Sequence, residues 1–243
     1  MIVPSMTHAE VFRELEQDRE NLERWWMRQH IQNRRKALKM RTFPATWWLE
    51  YNSPRHNRYM LCVTVINKKY ENLHSVTTYA LRKMEKGYTV YMSGIEKHSV
   101  VKKSVFVQHV FDRYAERCHV EKTGVELIKH MFEQQVGGKI IDNQRLAGRS
   151  VRYNGRDHRF IAINDGVLLG DYEENYLLLR TFITYDKATG LQKEVFEDAR
   201  SGLPDLVDEI KMSLTYRDMY INNMTANTNL KKPRDIPYGW EYP

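Results

Sequence analysis

The chain has little cysteine, no long apolar run, and none of the short motifs that announce a common cofactor or metal. Two cysteines, Cys62 and Cys118, in 243 residues exclude a disulfide scaffold. No Cys-x-x-Cys pair suggests structural zinc, and both thiols read as reduced packing residues. No apolar stretch approaches the roughly 20 residues that span a bilayer. The opening MIVPSMTHAE has neither the basic nor the apolar region of a secretion signal. These absences predict a soluble, cytoplasmic protein with no membrane partner. His-Glu-x-x-His, Gly-x-x-x-x-Gly-Lys-Ser/Thr, Gly-x-Gly-x-x-Gly and Gly-x-Ser-x-Gly are all missing, so zinc-protease, nucleotide-loop and serine-hydrolase readings lack their residues. The sequence therefore calls for no metal and no cofactor.

What is present belongs to a folded protein. Hydrophobic residues make up 42% and aromatic ones 12%, enough for a substantial core and far from the composition of disorder. Thirty-eight Lys and Arg against thirty-one Asp and Glu leave a net charge of +7, which favours an acidic partner, RNA being the simplest.

Thr7-His-Ala-Glu10 has the form of a capping box, and Phe12, Leu15, Leu22, Trp25 and Trp26 follow at helical spacing. A helix is expected over 7–40, ending in the basic run 34–41, and its aromatics suit it to docking a protein partner or to self-association. β-branched and aromatic runs at 58–66, 75–83 and 88–93 predict antiparallel strands, with a fourth over 99–107. A helix over 108–118 and a second over 123–135, opened by the capping box Thr123-Gly-Val-Glu126, form a pair. A meander follows: 150–153, 158–163 after the hairpin dipeptide Asn154-Gly155, 167–172, 176–185 and a last strand at 191–196. A closing helix is expected over 204–220. The class is α+β, divided as 1–100 (helix plus strands), 101–222 (helical pair, meander, closing helix) and an irregular tail, 223–243.

The most pointed pattern lies on the first helix of the pair. His109, Arg113 and Arg117 recur every fourth residue and share one helix face. One proton-transfer group beside two guanidiniums suits phosphate chemistry without a metal, because the RNA 2′-hydroxyl supplies the nucleophile. The same spacing equally describes a solvated face paired with Asp112, Glu116 or Glu121. Written as His-x-x-x-Arg-x-x-Glu-Arg, residues 109, 113, 116 and 117 resemble the helix signature of a family of small prokaryotic proteins. Its members read roughly His-Ala-x-x-Arg-x-x-Glu-Arg, then a second short helix and an antiparallel meander. That family looks related to the barnase, colicin and RelE-like group of metal-independent ribonucleases and toxins. The resemblance covers about 104–198, and it implies catalytic roles for His109, Arg113 and Arg117. By residue type, Arg180, Thr184, Tyr185 and His158 are further binding candidates on the meander. Arg180 and Thr184 are expected on one strand face and Tyr185 on the other. The alternative is a binding or structural protein with the same frame and no catalysis.

Overall fold

A computed structural model describes residues 1–65, 74–93, 103–134, 139–141, 152–153, 156–173 and 175–203. It begins with α1 (His8–Lys39), a 32-residue helix. Thr7 caps it as expected: the Thr7 hydroxyl accepts from the Glu10 amide at 3.3 Å, and the Glu10 carboxylate accepts from the Thr7 amide at 2.7 Å. Then come strands β1 (Ala45–Asn52), β2 (Arg58–Val65), β3 (His74–Lys83), β4 (Tyr88–Ser93) and β5 (Ser104–Phe106). The helical pair α2 (Gln108–Arg117) and α3 (Gly124–Gln134) follows. Strands β6 (Lys139–Ile140), β7 (Arg152–Tyr153), β8 (Arg156–Ile163), β9 (Gly166–Glu173) and β10 (Tyr176–Thr184) lead to α4 (Leu191–Ser201).

The class is α+β. Among the described residues ten strands join one sheet in the order β1-β2-β3-β4-β5-β10-β9-β8-β6, with β7 on β8. Every pairing is antiparallel except β5 with β10. The sheet is continuous across residue 100, because β5 bonds to β4 on one side and β10 on the other.

Helices cover both faces. The apolar residues of α1, Val11, Phe12, Leu15 and Leu22, pack on Tyr59, Leu61, Ala80, Tyr91, Val105 and Leu178. On the same face α4 sets Val195, Phe196 and Ala199 against Ala162 and Val167. The opposite face carries α2 and α3, whose Val110, Phe111, Tyr114, Ile128 and Met131 meet Met60, Phe106, Leu168, Leu179 and Phe182. Each large side chain buried in these layers contributes about 1.5–3 kcal/mol. Among the described residues no helix is long and apolar enough to cross a membrane.

Three expectations need correction. Residues 191–196 are not a strand but open α4. Val195, Phe196 and Ala199 fall at helical spacing among good helix formers, and that period outweighs the strand preference of the Val195-Phe196 pair. No strand is expected over Ala45–Asn52, yet β1 forms there, and Trp47 and Trp48 point to its opposite faces. The strand expected over 176–185 ends at Thr184, and Tyr185 starts a short 3-10 turn. The fourth strand is observed only at Ser104–Phe106, its expected start lying outside the described residues. The Asn154-Gly155 turn, the closing helix over 204–220 and the tail also lie outside them.

A buried polar network fixes α1 to the β1–β2 hairpin. Glu14, 8% exposed, accepts two bonds from the Arg55 guanidinium at 2.9 and 2.7 Å, one from Asn57 at 3.2 Å, and another from the Met1 amine. Asn57 also donates to Asp18 at 2.6 Å, and the Tyr59 hydroxyl donates to the same Asp18 oxygen at 2.9 Å. The Arg55 bonds, with the amine and Asn57, hold the Glu14 carboxyl down at about 2 against an ordinary 4.5. A depressed carboxyl pKa stabilises the fold above pH 4.5 and loses that contribution as pH falls toward 2. Arg55 is 41% exposed, so solvent screens the pair. Glu14→Gln is therefore expected to cost about 1–2 kcal/mol at pH 7 and little near pH 2, read from urea unfolding at both pH values.

Candidate functional site

The helix α2 does carry His109, Arg113 and Arg117 along one side, while Val110, Phe111 and Tyr114 anchor its other side in the core. The stripe is already engaged. The Arg113 Nε donates to His109 Nε2 at 3.2 Å, and its Nη1 pairs with Glu116 at 2.6 Å. Arg117 turns inward and donates to the Phe182 carbonyl on β10. Arg113 is thus committed to an exposed carboxylate, as the solvated reading expects, whereas Arg117 clips the end of α2 to the sheet. Beside it, the Thr184 hydroxyl bond holds Asp186 below its ordinary pKa, with Arg117 contributing through its charge. Two residues singled out in the sequence, Thr184 by its hydrogen bond and Arg117 by its charge, thus both act on Asp186. Burial first, then Asp165 and Asp186, pushes the nearby Cys118 thiol up to about 11, so it is a poor nucleophile at neutral pH.

The remaining candidates lie elsewhere, and a β-bulge is the reason. In the β9–β10 ladder Leu179 pairs with Gly170 and Thr181 with Leu169, leaving Arg180 as the extra residue. Alternation is broken there. Thr184 falls on the α2 face with Phe182, while Arg180 joins Asp171 and Glu173 on the α1–α4 face, so the two do not share a face. Tyr185 is buried under α4; its hydroxyl donates to the Ile163 carbonyl at 2.7 Å, Arg200 lies 4.8 Å over its ring, and burial raises its pKa to about 12. It is a packing residue.

His158 does meet Arg180. On adjacent strands β8 and β9, His158 stands directly opposite Asp171. The Asp171 carboxylate, 4% exposed, takes His158 Nδ1 on one oxygen at 2.7 Å and Arg180 Nε on the other at 2.7 Å. Arg180 extends its Nη2 to Glu173 at 3.0 Å, and Glu173 accepts from the Tyr176 hydroxyl at 2.8 Å. The Tyr176 ring stands edge-on to His8, 5.9 Å between centroids. His8 Nδ1 lies 2.9 Å from the Tyr91 hydroxyl, to which the buried Arg82 donates at 3.0 Å. Burial, then the charges of Arg82 and Arg180, lower the His8 pKa, so that ring is neutral at pH 7.

This cluster lies between the footprints of α1 and α4 on one face. Leu178 beside it packs under α1, and Phe160 and Leu169 pack under α4. His8, Arg82, Asp171 and Tyr176 were missed in the sequence because they come from four separate elements with no local spacing. The one available signal was Gly170 inside a predicted strand, which marks bulges and close backbone approach. Among the described residues no three His, Cys, Asp or Glu converge in a metal-binding arrangement. The tryptophan pairs are committed to packing: Trp25 stacks on Tyr51 at 4.9 Å, Trp47 donates to Asn33 at 3.1 Å, and Trp48 donates to Glu133 at 2.6 Å.

The chain matches no family model, no curated protein and no solved structure at a significant level. The reading of function thus rests on this geometry.

Proposed function

We propose that the protein binds RNA and cleaves it by acid–base chemistry at His158, oriented by Asp171 and flanked by Arg180. The observation that carries this reading is the 2.7 Å bond from His158 Nδ1 to a carboxylate 4% exposed. A buried carboxylate on Nδ1 fixes the tautomer and orientation of the imidazole, which leaves proton exchange to Nε2. In this reading Nε2 takes the proton of the 2′-hydroxyl as that oxygen attacks phosphorus. The bond to the 5′-oxygen then breaks, and the leaving oxygen receives a proton. The products are a 2′,3′-cyclic phosphate and a 5′-hydroxyl end, with no further reactant needed.

The α2 stripe and His158 occupy opposite faces of the sheet, so one phosphodiester cannot reach both. Among the described residues His109 is held by the half-exposed Arg113, which is itself tied to Glu116. The buried support at His158 favours the sheet-borne site, and Arg113 and Arg117 become candidates for binding alone. The test is incubation of purified protein with a single-stranded RNA in EDTA. The expected result is cyclic-phosphate termini; RNA that is bound and recovered intact would return the protein to the binding-module alternative.

A further inference from the structure

The outer face of α1 lies in the longest span of the chain without an acidic residue, with Arg24 at its edge paired to Glu20 of the preceding turn at 3.8 Å. From Arg24 to Leu49 there is no aspartate or glutamate, while Arg24, Arg28, Arg34, Arg35, Lys36, Lys39 and Arg41 all lie in that span. Lys36 turns toward the sheet, 5.1 Å over the Trp47 ring. The others are exposed. Among the described residues five large hydrophobic side chains are exposed, and three of them, Met27 (71%), Ile31 (62%) and Leu38 (41%), belong to this same segment.

Their spacing of four and then seven residues puts all three in one row along the helix, over about 16 Å. Arg24, Arg28, Arg35 and Lys39 run along one side of the row, and Arg34 lies on the other. Scattered exposed apolar residues need no explanation, but a row flanked by one sign of charge is the pattern of a helix-docking seam. The expected docking aromatics, Trp25 and Trp26, are instead partly buried against the sheet, so the seam is aliphatic.

We propose that this face docks an acidic amphipathic helix of a partner protein. Apolar anchors on such a helix cover Met27, Ile31 and Leu38, and its flanking carboxylates meet the arginines. Two copies of this chain do not satisfy both demands. Overlaying the two apolar rows sets arginine against arginine. Sliding the row onto the acidic first half of a second α1 meets Ala9, Arg13, Glu16 and Gln17, which offer no large apolar surface. RNA supplies the negative charge but nothing that requires an aliphatic row.

The test uses the full chain and a labelled synthetic helix of about three heptads, with leucine along its seam and glutamate on both flanks. Fluorescence anisotropy is expected to give micromolar binding, weakened about tenfold by Ile31→Ser and by Arg28→Glu/Arg35→Glu. Both variants change exposed residues, so their melting temperatures should match the parent. A probe with serine in place of leucine should not bind. The proposal is overturned if the acidic helix fails to bind the parent protein. It is equally overturned if Ile31→Ser weakens binding of an RNA oligonucleotide instead, or if the protein alone sediments as a dimer that Ile31→Ser dissociates. RNA cleavage is read separately on the same variants and is expected to be unchanged, so failure of either idea is visible without the other.

Discussion

Replacing His158 by alanine is expected to lower RNA cleavage at least a hundredfold, roughly the contribution of a positioned acid–base group. The side chain is about one-third exposed and touches Asp171 through a single ring nitrogen, so its removal opens no core cavity. Asp171 keeps its Arg180 partner at 2.7 Å, and the fold should therefore melt within a few degrees of the parent. Asp171→Asn isolates the orienting role. It keeps the shape but exchanges the carboxylate for an amide, which loosens the hold on the ring's tautomer and orientation, so activity should fall at least tenfold, with kcat affected more than KM. Asp171→Ala is a poorer experiment, since it also strips Arg180 of one of its two carboxylates. His109→Ala is the decisive control, because the sequence alone favours it as the catalytic histidine. Full activity in His109→Ala with loss in His158→Ala supports the sheet-borne site. The reverse pattern would return catalysis to α2.

Much of the frame was legible because it depends on local patterns. The capping box at Thr7, the apolar stripe of α1, the helical pair and the strands β2, β3, β4, β8, β9 and β10 each follow from residues close in sequence. Failures came where a local signal was ambiguous or where a non-local one decided. Val195-Phe196 suits a strand or a helix, and only Ala199 one turn later resolves it. Trp47 and Trp48 look like a paired feature, yet a strand sends them to opposite faces. The candidate site was the least legible part. Its residue types were recognised at His158 and Arg180, but the carboxylate joining them was not, since Asp171 is distant from both in sequence. The stripe of α2 was the most legible pattern and proved the most heavily engaged. Helical spacing brings an arginine to its own histidine and glutamate as readily as to a ligand.

The bulge that separates Arg180 from Thr184 gives the second large effect. At Gly170 an added Cβ would lie 2.2 Å from the Leu178 carbonyl oxygen and 2.9 Å from the Leu179 Cα. Both obstacles are backbone, so no side-chain rotation relieves them, and β9 must move away from β10. Gly170→Ala is therefore expected to destabilise the protein by about 3 kcal/mol, the upper end of typical overpacking costs. The measurement is the urea midpoint at an unchanged m-value. Gly190→Ala is the matched comparison. Its φ of +55° with ψ of −135° is a backbone conformation that alanine resists, but nothing lies within 4 Å of the new methyl, so about 1–3 kcal/mol is expected, all of it backbone strain at the helix start. The contrast extends to function. Gly170 adjoins Asp171 and faces the bulge that turns Arg180 toward it, so displacing β9 separates the carboxylate from its guanidinium. Gly170→Ala should thus lose RNA cleavage beyond its folded fraction, while Gly190→Ala retains cleavage in proportion to folded protein. Equal specific activity in the two folded variants would show that the bulge shapes the sheet without positioning the site.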